Sequence, residues 1–419
     1  MTTNPWPAPH AHGPVHATVV VPGSKSETNR ALVLAALASG PSTITGGLLS
    51  RDSDLMRAAL GQLGVDITVQ PDGSWRVTPP PRFAVPAEPI DCGLAGTVMR
   101  FVPPIAALNG GETTFVGDPH ASQRPMAPLL EALTQLGVTV SDRALPFTLQ
   151  ADTLRGRRVV IDSSGSSQFV SALLLAGARL PEGIEVAHQP AEPGASVPSR
   201  PHIDMTVQML RERGVEVVVA DESTWLVEPG TIAPLDTHIE PDLTNAAVFL
   251  AAAALTGGEV TVPGWPEQTT QGGAAILDIL DRMRTPDGLT APGTVDLHAS
   301  SELTPVVAAL AALVEGETTI TGVAHIRGHE TDRLAALTAE LGRIGADVTE
   351  TADGLRIIGR GPDALHGATW GAYADHRMAH AGALVGLLVD GIVVDDIGCT
   401  TKTITDFPGL WNGMLEGSR

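Results

Sequence analysis

The chain repeats itself six times. An Ala/Leu-rich helical stretch, a glycine and a short β-branched strand recur as ALVLAALASGPSTITGG from Ala31, IAALNGGETTFVGD from Ile105 and ALLLAGARLPEGIEV from Ala172. They return as FLAAAALTGGEVTVPG from Phe249, VAALAALVEGETTITG from Val307 and AGALVGLLVDGIVVDD from Ala381. The pattern predicts a helix closed by a glycine C-cap and followed by a strand. A second phrase of helix, glycine and strand follows four of the copies: LMRAALGQLGVDI from Leu55, LLEALTQLGVTV from Leu129, MTVQMLRERGVEV from Met205 and RLAALTAELGRIGADV from Arg333. It is degraded after the fourth copy (AAILDILDRMRTPDGLT) and lacking after the sixth, where the chain ends. A period of roughly 60 to 75 residues exceeds that of common solenoids, so each copy reads as a small helix-and-sheet layer. Six copies divide as three plus three, with a break between Glu228 and Asp242.

Two domains also suit a chain of 419 residues, since single cores stop growing at about 250–300. Hydrophobic residues make up 43% and charged residues 17%, the balance of a folded chain. The net charge of −21 excludes binding that needs a broadly basic surface, whether to nucleic acid or to an anionic membrane. The longest apolar run, Ala246 to Leu255, falls short of the ~20 residues of a spanning helix. The first residues have neither the basic start nor the apolar core of a signal peptide, so a soluble cytoplasmic protein is expected. Cys92 and Cys399 lack CxxC partners, and His10, His12 and His16 have no neighbouring carboxylate, so no metal site is expected.

Against this acidic background the basic residues cluster. In VPGSKSETNRAL a turn at Pro22–Gly23 delivers Ser24, Lys25, Ser26 and Arg30 to a helix start, where free amide groups and cations favour an anion. The glycine spacing of a nucleotide-binding P-loop is missing; a capped surface helix is the plain alternative. DCGLAGTVMRF carries Gly93, Gly96 and Arg100, and RPM carries Arg124. DSSGSSQFV offers Ser166, Ser167 and Gln168 at another helix start, and PSRPHIDM offers Ser199, Arg200 and His202. The second half adds Glu302, then His325, His329, Glu330 and Arg333, then Asp375, His376 and Arg377, and finally Lys402. Glu330 and Arg333 also suit an ordinary i,i+3 surface ion pair. No G-x-S-x-G accompanies a serine, so a hydrolase triad is unsupported.

Taken in order, PGSKSETNRAL, GLAGTVMRF, RPM, SSQFVSALL, SRPHIDM, HETDRL, YADHRMA and CTTKT span nearly the whole chain and resemble the enolpyruvylshikimate-phosphate synthase family. The resemblance implies an α/β (α+β) protein, a two-domain inside-out α/β barrel in which each domain holds three βαβαββ repeats around parallel inner helices. The domains would be 21–232 and 1–20 plus 233–419, the chain crossing twice. The implied reaction moves the enolpyruvyl group of phosphoenolpyruvate to the 5-hydroxyl of shikimate 3-phosphate through a tetrahedral ketal. Its only partners are these two small molecules; no metal or organic cofactor and a monomeric state are implied.

Carried over by position, Lys25, Ser26, Arg30, Ser166, Ser167, Gln168, Ser199, Glu302 and His329 resemble the shikimate 3-phosphate site. Lys25, Gly96, Arg124, Gln168, Arg333, Arg377 and Lys402 resemble the phosphoenolpyruvate site, and Lys25, Glu302 and Glu330 the catalytic groups. Members sensitive to the inhibitor glyphosate carry glycine at the position of Gly96. The chain departs from the family at Leu94 and His325, each a common Asn, at Phe101, a common Pro, at His329, a common Lys, at His202, a common Tyr, and at Glu302, a common Asp. The related family that uses UDP-N-acetylglucosamine carries a loop cysteine, which is absent between Glu112 and Pro128. A noncatalytic binder of phosphorylated metabolites would keep the cations without the two glutamates.

Overall fold

The computed structural model describes residues 4–417. One compact unit runs Gly23–Glu240, and a second combines the described residues up to Pro22 with those from Pro241 onward. The family resemblance implies crossings near residues 20 and 232.

The 23–240 unit holds three copies of one arrangement. The first has α1 (Lys25–Leu37), a strand Ser42–Thr45, α2 (Arg51–Gln62) and a strand pair Asp66–Val69 and Trp75–Thr78. The second has Ile90–Asp91, α3 (Gly96–Ala107), Gly111–Val116, α4 (Ala127–Gln135), Thr139–Val140 and Phe147–Ala151. The third has Arg158–Ile161, α5 (Gln168–Gly177), Ile184–His188, α6 (Pro201–Glu212), Val217–Val219 and Thr224–Val227. In each sheet the strand before the inner helix lies parallel to the strand after it, and the final pair is antiparallel. The first copy takes its leading strand, Thr237–His238, from the end of the unit, parallel to Ser42–Thr45.

Why the helices go inside follows from their composition. Thr28–Leu37, Gly96–Ala107 and Phe169–Gly177 are buried without a break, and α1, α3 and α5 pack on one another. A helix apolar on every side must be enclosed. Each enclosed Leu or Val then stabilises by roughly 1.5–3 kcal/mol. The strands are one-sided instead: Val159 and Ile161 face in while Arg158 and Val160 face out.

In the other unit α7 (Leu243–Thr256), α9 (Thr304–Leu313) and α11 (His376–Gly386) are the enclosed helices, again in mutual contact, with α8 (Ile276–Met283), α10 (Arg333–Arg343) and α12 (Phe407–Glu416) as the second set. The full sheet is Gly293–Asp296, Glu315–Thr321, Leu355–Arg360 and Asp347–Glu350. The N-terminal segment completes the flanking copies: His16–Thr18 pairs parallel with Glu259–Thr261, and Trp6–Pro7 antiparallel with Val393–Val394. No helix among the described residues is long and apolar enough to cross a membrane.

Two expectations are corrected. The sixth copy does not lack its second helix. That helix is α12, capped by Asp406, whose side chain accepts from the Gly409 amide at 2.9 Å, and it buries Phe407, Trp411 and Met414 at helical spacing. Pro408, Gly409 and Gly413 obscured its pattern in the sequence. The glycine caps are also placed differently. Of the six inner helices only α7 ends on a left-handed glycine, Gly257; α1, α3, α5, α9 and α11 end on other residues. The second helices carry the motif: Gly64, Gly137, Gly214 and Gly345 adopt φ of 92°, 92°, 75° and 95° just after α2, α4, α6 and α10. There the amides of Val65, Val138, Val215 and Ala346 reach back to the carbonyls of Leu60, Leu133, Leu210 and Leu341 at 3.0–3.1 Å. The repeated Leu…Gly spelling, followed by Val in three copies and Ala in the fourth, is thus the spelling of a Schellman turn, which only a residue without Cβ enters cheaply.

Candidate active site

Within the 23–240 unit the polar residues gather at the starts of α1, α3, α5 and α6. Ser24 caps α1, accepting from the Glu27 amide at 3.4 Å, which leaves Lys25 and Ser26 on the first turn. Lys25 Nζ lies 3.8 Å from Oδ2 of the buried Asp52. Ser26 Oγ lies 3.5 Å from His202 Nε2, so the histidine standing for the family's tyrosine touches one of the expected anchors.

Arg30 behaves differently from a free anion ligand. Its guanidinium is buried and donates to Thr206 Oγ1 at 2.7 Å, the Ser26 carbonyl at 2.9 Å, Ser171 Oγ at 3.2 Å and the His202 carbonyl at 2.9 Å. These oxygens are all neutral. Burial, partly offset by Glu27, lowers its pKa to about 9. Arg30 therefore ties α1 to α5 and α6 and leaves a positive charge there with only neutral hydrogen-bond partners.

Gln168 opens α5, its amide donating to Ser166 Oγ at 3.3 Å, while Arg100 from α3 donates to its Oε1 at 2.6 Å. This leaves the Gln168 amide NH2 as a directed donor. The Ser163 and Ser164 hydroxyls are buried with no hydrogen-bond partner among the described residues. Nothing in the DSSGSSQ run sets these two serines apart from Ser166 and Ser167. Ser199 sits at φ 51°, a conformation that non-glycine residues hold only where the surroundings enforce it.

Arg124 donates to the Leu94 carbonyl at 3.0 Å, and its Nε is buried with no partner among the described residues. A Cβ on Gly96 would come within 3.0 Å of both Arg124 Nη atoms. The space left by the missing Cβ is therefore filled by the arginine.

In the other unit Arg333 is the hub. Its Nε donates to Asp375 Oδ2 at 2.7 Å, and Nη2 donates to Asp375 Oδ1 at 3.3 Å and Glu330 Oε2 at 3.0 Å. Its Nη1 donates to Glu302 Oε2 at 3.2 Å and His329 Nδ1 at 3.2 Å. All five N–H groups are thus engaged. Arg377 pairs with Glu302, and Lys402 Nζ lies 2.6 Å from Glu330 Oε1. The i,i+3 pair of Glu330 and Arg333 lies inside this buried cluster and not on the surface.

Burial raises the pKa of Glu302, but Arg377 and Arg333 outweigh it and hold the carboxyl well below its usual range. His329 is lowered to about 3, chiefly by burial, and accepts on Nδ1, so it is neutral at pH 7 with its proton on Nε2. The positive charge that the family's common lysine would bring is absent at this position. His325 is lowered to about 4 by burial and by His298. Three cations, Arg333, Arg377 and Lys402, face three carboxylates, Glu302, Glu330 and Asp375. Such a cluster can exchange internal ion pairs for an anionic ligand and place ionised carboxylates beside it.

Comparison with known proteins shows the family. The family described as EPSP synthase (3-phosphoshikimate 1-carboxyvinyltransferase) matches residues 9–411. The 3-phosphoshikimate 1-carboxyvinyltransferases of Mycobacterium ulcerans and Kocuria rhizophila are each 52% identical to this chain, covering 99% and 98% of it and 98% and 96% of themselves. Among solved structures, EPSP synthase from Acinetobacter baumannii superposes with a TM-score of 0.80 at 24% identity, covering 98% of each chain. An enolpyruvyl transferase from Streptomyces tendae gives 0.73 at 19% identity, covering 99% of this chain and 98% of its own. These two likenesses show the fold.

Proposed function

Given that the chain belongs to the EPSP synthase family, whose reaction transfers enolpyruvyl from phosphoenolpyruvate to shikimate 3-phosphate in the shikimate pathway, we propose how its residues divide that work. Lys25, Ser26, Ser166, Ser167, Gln168 and Ser199 hold shikimate 3-phosphate, with Arg30 supplying charge and fixing the helix starts. Arg124, Arg377 and Lys402 hold phosphoenolpyruvate, with the Gly96 backbone, Gln168 and Lys25 assisting. Arg333, its donors taken up internally, adds charge and aligns Glu302 and Glu330.

The shikimate 5-hydroxyl adds to C2 of phosphoenolpyruvate while C3 gains a proton, giving the tetrahedral ketal. Loss of phosphate and of one C3 proton restores the double bond. Glu302 accepts the hydroxyl proton, and His329 orients beside it. With Arg377 paired to it, Glu302 is a weak base; a substrate carboxylate that draws Arg377 away raises its basicity when it is needed. Glu330, between Arg333 and Lys402, exchanges the C3 proton together with Lys25.

The observation that carries this reading is the set of three cations on three carboxylates built around the buried Arg333 and Asp375. The net charge of −21 supports the absence of a nucleic-acid partner. A cytoplasmic monomer needing no cofactor completes the proposal. The test is phosphate release from phosphoenolpyruvate with shikimate 3-phosphate or UDP-N-acetylglucosamine as acceptor. Release with the first alone is expected; release only with the second moves the chain to the related family.

A further inference from the structure

The segment that brings Asp375 and Arg377 to the cluster runs from the strand Thr369–Trp370 to the start of α11, and α10 grips it at every second residue. Arg343 donates to the Thr369 carbonyl at 3.0 Å. The Gly371 amide donates to Glu340 Oε2 at 2.9 Å, and the Tyr373 hydroxyl donates to Glu340 Oε1 at 2.7 Å. Arg333 then takes Asp375 at 2.7 Å. Glu340 stands seven residues after Arg333, two turns along the same helix face, so one face of α10 serves both contacts.

This segment is held under strain. Tyr373 and Ala374 take φ of 53° and 54°, left-handed values in two successive residues with side chains. Such conformations cost about 1–3 kcal/mol each and persist only where the surroundings impose them. Gly371 has no room for a Cβ, which would meet the Tyr373 ring at 2.8 Å and Glu340 Oε1 at 3.1 Å. Glu340 is 1% exposed and ion-paired with Arg343 at 2.5 Å, so its carboxylate is fixed in place. None of these groups belongs to the substrate-binding set proposed above.

We propose that Glu340 and Tyr373 are positioning residues: a carboxylate clamp that holds the left-handed turn and so sets Asp375 and Arg377 for phosphoenolpyruvate. The inference rests on the phosphoenolpyruvate role given above to Arg377. Without the phenol bond the turn relaxes, Arg377 loses its setting, and binding of the substrate it faces weakens while the acceptor's does not.

Tyr373→Phe is the test, because it removes one hydroxyl from a side chain whose residue is 42% exposed and leaves the core intact. The expected result is a KM for phosphoenolpyruvate raised about three- to tenfold, the range of one lost hydrogen bond. The KM for shikimate 3-phosphate should not move. Amide exchange should quicken from Gly371 to Arg377 in the same variant. Tyr373 is the chain's single tyrosine, so ultraviolet titration reads it alone. Burial and Glu340 hold its phenol above the ordinary value, and Glu340→Gln should bring it down. An unchanged KM for phosphoenolpyruvate in a folded Tyr373→Phe enzyme overturns the proposal, as does unchanged exchange. Failure of the wild-type enzyme to release phosphate would sink the functional reading instead; exchange and titration would then still decide whether the clamp exists.

Discussion

Lys402 Nζ lies 2.6 Å from Oε1 of Glu330, whose other oxygen accepts from Arg333 at 3.0 Å. The carboxylate is 8% exposed and bridges two cations from different elements, α10 and the turn Ile397–Lys402. A proton leaving or reaching Glu330 therefore changes the charge felt by both.

Glu330→Gln and Glu302→Gln keep the shapes but lose the charge. Each variant should lower kcat by about 10²–10⁴-fold, the usual weight of a general acid–base group. Steady-state phosphate release measures this. Near-full turnover in both variants would remove the two glutamates from the chemistry.

Gly96→Ala acts through Arg124. The new methyl would sit 3.0 Å from both Nη atoms and push the guanidinium off its bond to the Leu94 carbonyl. Overpacking of this kind costs about 1–3 kcal/mol, roughly tenfold or more in affinity. Glyphosate should compete with phosphoenolpyruvate in the wild type, and both should bind more weakly in Gly96→Ala. A wild-type enzyme untouched by high glyphosate would show that Leu94 and Phe101 shape the pocket.

Three histidines, His380 buried and His325 and His329 partly so, tie stability to pH. His325, His329 and His380 are lowered from 6.5 to about 4, 3 and 3, mainly by burial. Unfolded, they take up protons as pH falls through 6.5, whereas folded they resist until near 4 or 3. Their stabilisation is therefore complete above pH 6.5 and is lost progressively below it. The melting temperature should fall between pH 7 and 5, and His380→Phe, which removes one such group from a stack on Phe407, should flatten that slope.

Glu27 has the opposite sign. Burial and Glu240 raise its carboxyl to about 8, although it accepts from the Glu240 amide at 3.0 Å. The folded state keeps a proton that the unfolded state gives up above 4.5, so Glu27 costs stability increasingly as pH climbs from 4.5 to 8. Glu27→Gln keeps an acceptor oxygen and cannot ionise. Its melting temperature should match the wild type near pH 5 and exceed it by a few degrees at pH 8.

How much of this was visible in the sequence depended on distance along the chain. The Schellman turns at Gly64, Gly137, Gly214 and Gly345 are local, so their spelling repeats and the units could be counted. The strand Thr237–His238 was hidden because two residues carry no periodicity and their partner, Ile44–Thr45, is far away in the chain. Arg30 stood out as a cation at a helix start. That its donors end on Ser171, Thr206 and His202 is set by tertiary packing across 141–176 residues. Arg100 carried no signal of its grip on Gln168, nor did Glu340 of its hold on Tyr373. Burial also decided the charge state of His329, which spacing alone cannot report.

The pairing of Trp6–Pro7 with Val393–Val394, and of His16–Thr18 with Glu259–Thr261, has a consequence during synthesis. A ribosome releases residues 23–240 as one contiguous stretch whose sheets close on themselves, so that unit has all its parts early. Trp6–Pro7 and His16–Thr18 must wait for partners made more than two hundred positions later. At about 5–20 residues per second, that wait exceeds ten seconds. The short edge segments at the N-terminus spend it unpaired, and Pro5, Pro7, Pro9 and Pro14 among them lack the amide hydrogens that a stray strand would need to dock.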